Sequence, residues 1–388
     1  MAGLFCYRTA KRLPHTVKGW RTFLHALSPS LILATMKLLR IVSLLPPAGL
    51  LLLQMSCGGG DASGPGKQPA NITANSSTTI TAPPGAQVTE LPSVLVSDAS
   101  GRPLASAPVT FTVTSGGGAV TGGSATTDAS GIATVGSWTL GAGSGANTVS
   151  AVTGNLPPVT FTACTTETHT LGSTSDSQLS STDCQLSDGT FVDLYTVTIP
   201  ASGTYIFNQT SATFDTFLAF YTSGTVLIGV NDDFGTSDSR VKVIVPAGSY
   251  IIGALSFDPH VTGSYSLASA GSTDQVSNCE DVFVQKGIST PQSLQTTDCS
   301  TVGFYSDEYV IFMTTGQAIT VGMTSSVLDS YLEIRPNGNS AVLASNDNIN
   351  ANTKDAQVAF TAPATGFYII AAASKTAGTT GDYTFSIQ

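Results

Sequence analysis

The second half of this chain is written twice, and that constrains its fold more than any other feature. Ser181-Thr182-Asp183-Cys184 is matched by Thr296-Thr297-Asp298-Cys299. Asp193-Leu194-Tyr195 is matched by Asp307-Glu308-Tyr309, and Phe214-Asp215-Thr216-Phe217-Leu218 by Leu328-Asp329-Ser330-Tyr331-Leu332. Asn231-Asp232-Asp233 pairs with Asn346-Asp347-Asn348, and Gly248-Ser249-Tyr250-Ile251-Ile252 with Gly366-Phe367-Tyr368-Ile369-Ile370. Gly263-Ser264-Tyr265 pairs with Gly381-Asp382-Tyr383. The offset between partners drifts from 114 to 118 residues. Two copies of one pattern require two copies of one fold, with small insertions taken up in loops.

The fold these segments encode is all-β. Val and Thr dominate the periodic stretches, and both suit a pleated, half-buried surface. Gly and Ser supply the turns. Upstream of the repeats the same logic holds. Pro108-Val109-Thr110-Phe111-Thr112-Val113-Thr114 places Val109, Phe111 and Val113 on one face, the period of a half-buried strand. Asp98-Ala99-Ser100-Gly101 and Asp128-Ala129-Ser130-Gly131 are turns, the second leading into Ile132-Ala133-Thr134-Val135. Trp138 and Leu140 continue the inward positions, and Asn147–Val152 and Val159–Thr162 add strands. Short strands at this spacing predict an Ig-like β-sandwich.

Those residues also carry resemblances. Pro108-Val109-Thr110-Phe111, Thr127-Asp128-Ala129-Ser130-Gly131-Ile132-Ala133 and Asn147-Thr148-Val149 resemble the bacterial Ig-like domains of the invasin and intimin type. The resemblance implies a rigid stalk module on a cell surface. The repeats resemble the bacterial pre-peptidase C-terminal domain. In repeat one its features are Asp193/Tyr195, Phe214/Asp215/Leu218, Asn231/Asp232/Asp233, Pro246/Ala247/Gly248/Tyr250 and Gly263/Tyr265. Repeat two departs at Leu328, at Asn348 and at Pro363-Ala364-Thr365-Gly366. This second resemblance implies a jelly-roll-like β-sandwich, found after secreted peptidases, with relatives that bind collagen, polysaccharide or calcium. The expected layout is a leader over 1–56, a flexible tether over 57–75, and an Ig-like domain over 76–164. Two tandem jelly-roll-like β-sandwiches follow, at 165–270 and 271–388.

The six cysteines sharpen this layout. Cys164 and Cys184 lie 20 residues apart, as do Cys279 and Cys299, with 115 residues between equivalent members. Equal spacing inside a repeat predicts one disulfide within each, at about 3 kcal/mol per loop of this size in the chain-entropy model. A metal site would want Cys or His in close pairs. Beyond the leader only His169 and His260 are available.

The front of the chain reads as an address. Lys37 and Arg40 precede an apolar run, Ile41–Leu53, interrupted by Pro46 and Pro47. The run is shorter than the ~20 residues a bilayer span needs and has the form of a signal peptide over 36–56. Met36 then reads as the start, with residues 1–35 an upstream extension; the alternative is one long leader. Leu53-Gln54-Met55-Ser56-Cys57 resembles a bacterial lipoprotein box, which implies lipidation at Cys57 and, with Gly58 rather than Asp following, an outer-membrane address. Without lipidation the same segment describes an ordinary secreted protein.

Charge limits the partners. Seven of the 15 Lys and Arg precede residue 41 and no acidic residue precedes Asp61, which leaves eight basic residues against 25 acidic ones from Cys57 onward. A body this acidic repels nucleic acid. Calcium is the sharper chemical expectation, because hard cations want several oxygen ligands. Asp215, Asn231, Asp232 and Asp233 form one candidate group, and Asp188 with Asp193 another; the competing expectation is that these residues build turns. For catalysis no His-Glu-x-x-His, Gly-x-Ser-x-Gly or P-loop sequence occurs. His169 and His260 read as exposed loop residues. Tyr195, Tyr205, Phe207, Phe214, Phe217, Phe220 and Tyr221 would make a binding face if exposed, but period-two spacing places them in a core.

The reading at this stage is a non-catalytic cell-surface lipoprotein, held to the membrane by its lipid, with modules for extracellular protein or glycan. The alternatives are a structural envelope component, a non-catalytic partner of a secreted peptidase, and, from another class, a hydrolase whose machinery is hidden.

Overall fold

In the computed structural model, the residues described are 68–235, 237–272, 281–301, 303–339 and 341–388. The expected leader, Cys57 and Cys279 lie outside them. Among the described residues every regular element is a strand. They fall into two units, one ending at Thr166 and the other running from Glu167 to Gln388, with the boundary inside the last strand counted below with the first unit.

The first unit holds β1 (Asn71–Ala74), β2 (Thr79–Ala82), β3 (Ser93–Ser97), β4 (Pro108–Ser115), β5 (Ala119–Thr121), β6 (Ser124–Thr126), β7 (Ile132–Thr134), β8 (Ser137–Thr139), β9 (Ala146–Val152) and β10 (Val159–Thr168). One sheet runs β1-β3-β7, a second contains β10-β9-β4-β6 with β2 parallel to β10, and β5 pairs with β8. Val94, Val96, Phe111, Trp138, Val149, Ala151 and Phe161 meet in the core. Val109 and Phe111 are buried as their alternation requires, and Val113 packs at the rim beside a bulge in the β4–β9 register. The two Asp-Ala-Ser-Gly turns are built alike. Asp98 Oδ1 accepts from the Ser100 and Arg102 N–H groups, and Asp128 Oδ1 from those of Ser130 and Ile132. In each, the glycine takes a positive φ, 77° at Gly101 and 76° at Gly131, where a side chain is disfavoured. The unit begins earlier than expected. Residues 71–74 of the stretch read as tether form β1, paired antiparallel with β3, because Ile72 packs against the core.

The second unit holds both repeats. Repeat one comprises β11 (Thr174–Leu179), β12 (Cys184–Gln185), β13 (Phe191–Ile199), β14 (Gly203–Thr210), β15 (Thr216–Thr222), β16 (Leu227–Asn231), β17 (Ser239–Val245), β18 (Gly248–Ser256) and β19 (Gly263–Ser272). Repeat two comprises β20 (Val282–Val284), β21 (Ile288–Leu294), β22 (Cys299–Thr301), β23 (Phe304–Met313), β24 (Ala318–Thr324), β25 (Ser330–Pro336), β26 (Ala344–Asn346), β27 (Ala356–Thr361), β28 (Gly366–Ser374) and β29 (Gly381–Ile387). Within repeat one, β11-β19-β14-β17 faces β13-β18-β15-β16; within repeat two, β21-β29-β24-β27 faces β23-β28-β25-β26. Each repeat is therefore a β-sandwich.

The two sandwiches share a sheet. β20 lies between β17 of repeat one and β23 of repeat two, parallel to both, so one continuous sheet runs β11-β19-β14-β17-β20-β23-β28-β25-β26. Alternation along the shared strands serves two cores at once. Val282, Val284, Tyr309, Ile311 and Met313 face repeat two's core, joined there by Ile244 of β17. Phe283 points the other way, 5.9 Å from the Phe367 ring, and packs on Gly229 of β16, where a Cβ would come within 2.4 Å of the Phe283 ring. Only glycine allows this approach between an edge strand of repeat one and an aromatic ring of repeat two.

Candidate functional site

Three separate pieces of the repeat signature converge in space. In repeat one, the Tyr195 and Tyr265 hydroxyls are 2.6 Å apart, and Tyr265 donates to Asp193 Oδ2 at 2.6 Å. Asp183, from the Thr-Asp-Cys segment, hydrogen-bonds the Asp193 carboxyl and accepts from the Ser180 N–H at 2.6 Å. Repeat two repeats the arrangement. The Tyr309 and Tyr383 hydroxyls are 2.7 Å apart, Tyr383 donates to Asp307 Oδ2, and Asp298 meets Asp307 while accepting from the Gln295 N–H. The Asp-x-Tyr, Gly-x-Tyr and Thr-Asp-Cys pairings are thus parts of one network in each copy. Burial pushes Asp193 up to about 7, with Asp183 and Glu167 adding to the rise and Tyr265 opposing it. Burial pushes Asp307 up to about 8, against the Tyr383 hydrogen bond and the Lys242 charge.

This placement answers the calcium expectation for Asp193, whose carboxyl is engaged by Tyr265 and Asp183. Asp188 Oδ1 accepts from the Thr190 N–H at 3.0 Å, closing its own turn. The Asn231 amide is similarly occupied: Oδ1 accepts from the Arg240 N–H at 2.8 Å and Nδ2 donates to the Asp233 carbonyl at 3.2 Å. The structure does bring Asp215 near Asp232 and Asp233, and adds Asp258. Burial first, then these three carboxylates, raise Asp215 to about 6. Even so, among the described residues no three His, Cys, Asp or Glu side chains lie close enough together to hold a metal ion. Of the six expected ligands, Asp215, Asp232 and Asp233 lie near one another, while Asp188, Asp193 and Asn231 are engaged by other partners.

The same edge exposes aromatic rings that the sequence reading passed over. Phe234 follows Asp233 and is 47% exposed; Phe257 precedes Asp258 and is 41% exposed. The Arg240 guanidinium lies 4.5 Å from the Phe234 ring centre, a cation–π contact. By contrast Tyr195, Tyr205, Phe207, Phe220 and Tyr221 are buried, as their spacing requires, while Phe214 and Phe217 are half-buried. Alternation finds core aromatics well. It has no purchase on Phe234 and Phe257, which sit beyond the ends of strands.

The corresponding edge of repeat two is chemically different. Lys375 N–H donates to the Asp329 carbonyl, as Phe257 N–H does to Asp215, so Lys375 stands in the place of Phe257. Its ammonium lies 3.3 Å from Asp347 and 4.7 Å from the Tyr331 ring centre.

The two histidines part company. His169 is 1% exposed, bonded to Ser175 Oγ at 2.9 Å and Ser269 Oγ at 2.8 Å. This corrects the expectation of an exposed residue: its backbone N–H joins Thr196 of β13 and carries the side chain inward. Burial lowers its pKa, favouring the neutral ring. His260 is exposed on a loop at φ 61° and lies against Gly189. Cys164, Cys184 and Cys299 are disulfide-bonded.

Comparison with known proteins gives distant likeness to solved structures. No protein-family model matches the chain, and no curated protein matches it. Among solved structures, a pre-peptidase C-terminal domain of a collagenase from Bacillus anthracis is 13% identical, with a TM-score of 0.23, over 27% of this chain and 93% of that one. The D00-D0 domain of intimin is 26% identical, with a TM-score of 0.20, over 26% of this chain and 48% of that one. Invasin, a bacterial integrin-binding protein, is 14% identical, with a TM-score of 0.20, over 82% of this chain and 57% of that one.

Proposed function

We propose that this chain is an exported surface protein, anchored by lipid at Cys57 to the outer membrane, that captures an extracellular protein or glycan without catalysing a reaction. The observation that carries this reading is the edge of repeat one, where Phe234 and Phe257 expose their rings beside Asp215, Asp232, Asp233 and Asp258. Exposed aromatic rings offer large contact area with a wet rim, the composition of a recognition surface. The disulfide-bonded cysteines fit an oxidising, exported environment. The Ig-like unit serves as the stalk, and the tandem repeats as the head. His169, buried between two serine hydroxyls, is not open to act as a general base on a bound molecule.

The test is a binding screen of the oxidised, folded chain on arrayed matrix proteins and polysaccharides. The expected result is saturable binding that drops at least tenfold in Phe234→Ser/Phe257→Ser. Absence of binding across the array would favour a structural envelope component instead.

A further inference from the structure

The molecule offers several other places to look. The shallow hollow of about 340 Å³ lined by Lys286, Phe360 and Gln388 is walled mainly by exposed side chains. The acidic edge of repeat one belongs to the surface already described. The buried aspartates of repeat two carry more, because their atoms are accounted for in only one protonation state.

Asp298 and Asp307 are 5% and 1% exposed. Asp307 Oδ2 accepts from the Tyr383 hydroxyl and Asp298 Oδ2 from the Gln295 N–H. The remaining oxygens, Asp298 Oδ1 and Asp307 Oδ1, are both buried and both lack a donor, although the two carboxyls are in hydrogen-bonding contact. Two ionised carboxylates cannot satisfy each other, since each is acceptor-only. One proton placed between them satisfies both orphaned oxygens at once. We infer that Asp307 holds a proton on Oδ1 and donates it to Asp298 Oδ1 in the folded chain at neutral pH, making repeat two a proton-dependent lock that weakens in mild alkali.

The chain of donors then has one direction. Tyr309 donates to Tyr383, Tyr383 to Asp307, and Asp307 to Asp298, which also receives the Gln295 N–H. The charged and titratable groups facing the pair are Tyr383 from β29, Tyr309 from β23, and Lys242 from β17 of repeat one. A proton-sharing pair carries one negative charge, and the Lys242 ammonium, itself 2% exposed, supplies one positive charge. Loss of the shared proton leaves a second, uncompensated negative charge in the interior. The matching Asp183–Asp193 contact in repeat one shows that the arrangement is a property of the repeat.

The sign follows from linkage. Asp307 is pushed up to about 8, well above the ordinary aspartate value of about 4, so the folded state holds this proton more tightly than the unfolded chain. Its contribution is complete below about 4 and is lost as pH rises through about 8. The test compares the full oxidised chain with Asp307→Asn, whose amide mimics the protonated acid: Nδ2 donates to Asp298 and Oδ1 accepts from Tyr383. The melting midpoint of the parent chain is expected to fall by several degrees between pH 6 and pH 9. That of Asp307→Asn is expected to fall by clearly less and to exceed the parent at pH 9. Equal falls, or a loss in the variant as large at pH 9 as at pH 6, would overturn the inference. Should the variant fail to fold, the infrared carbonyl band of protonated carboxyl groups in the parent chain decides. A band retained at pH 7 both in the parent and in Asp193→Asn, which removes the carboxyl of repeat one raised to about 7, and lost by pH 10 upholds the shared proton, since exposed carboxyls with pKa values of about 4 are ionised at pH 7. No band at pH 7 refutes it.

Discussion

Apart from β20, repeat one and repeat two have equivalent strands and the same buried tyrosine–aspartate network, yet their edges differ. In repeat one the edge presents Phe257 and Phe234 among four aspartates. In repeat two Lys375 replaces Phe257, pairs with Asp347 and covers Tyr331. In repeat two a lysine pairs with the edge carboxylate; in repeat one an arginine lies over Phe234 while Phe257 faces outward. What the copies share is buried and concerns folding; what separates them is exposed, and under the proposed function it concerns recognition.

The comparison breaks most sharply at the strand that joins the copies. Phe283 is 5% exposed between β16 of repeat one and Phe367 of repeat two. Phe283→Ala is expected to cost about 3–5 kcal/mol, measured by denaturant unfolding, and to weaken both repeats together. At the matching step of repeat one, His169→Ala removes two hydrogen bonds to serine and is expected to cost about 1–3 kcal/mol. A loss confined to repeat two in the first variant, read by hydrogen exchange, would mean that the repeats fold independently.

A finer contrast uses the shared network. Tyr383→Phe removes the hydroxyl between Tyr309 and Asp307 and is expected to cost about 1–3 kcal/mol. Tyr265→Phe is expected to cost less, because Asp193 is only half-buried where Asp307 is fully so. Thermal unfolding at pH 6 measures both. The smallest effect belongs to Lys375→Met: with both partners about half-exposed, the pair contributes about 0–1 kcal/mol. On the acid side His169 acts in the opposite sense to the aspartates. Its pKa is lowered by burial, so its contribution is complete above its unfolded value and is lost as pH falls below it.

The fold was legible in the sequence because repetition and alternation are both written along the chain. Val109 and Phe111 announce one buried face, and the Asp-x-Tyr and Gly-x-Tyr pairs announce two equivalent bodies. The joining strand was not legible. β20 is three residues long, too short for any period, and its parallel pairing with both β17 and β23 is decided by distant partners. The candidate site was half legible. Asp215, Asp232 and Asp233 were found by residue type, but type alone does not separate a ligand from a turn, and hydrogen bonding settled Asp188, Asp193 and Asn231. The exposed rings of Phe234 and Phe257 left no periodic trace because loops carry none.

The most direct test is a paired binding measurement on whichever arrayed protein or polysaccharide the folded chain retains. Phe234→Ser/Phe257→Ser on the edge of repeat one is set against Val327→Ser/Ile349→Ser, two exposed apolar residues of repeat two. The account predicts at least a tenfold loss of affinity for the first variant and an unchanged affinity for the second. Equal losses, or a loss only in the second, would contradict the assignment of the binding surface to repeat one.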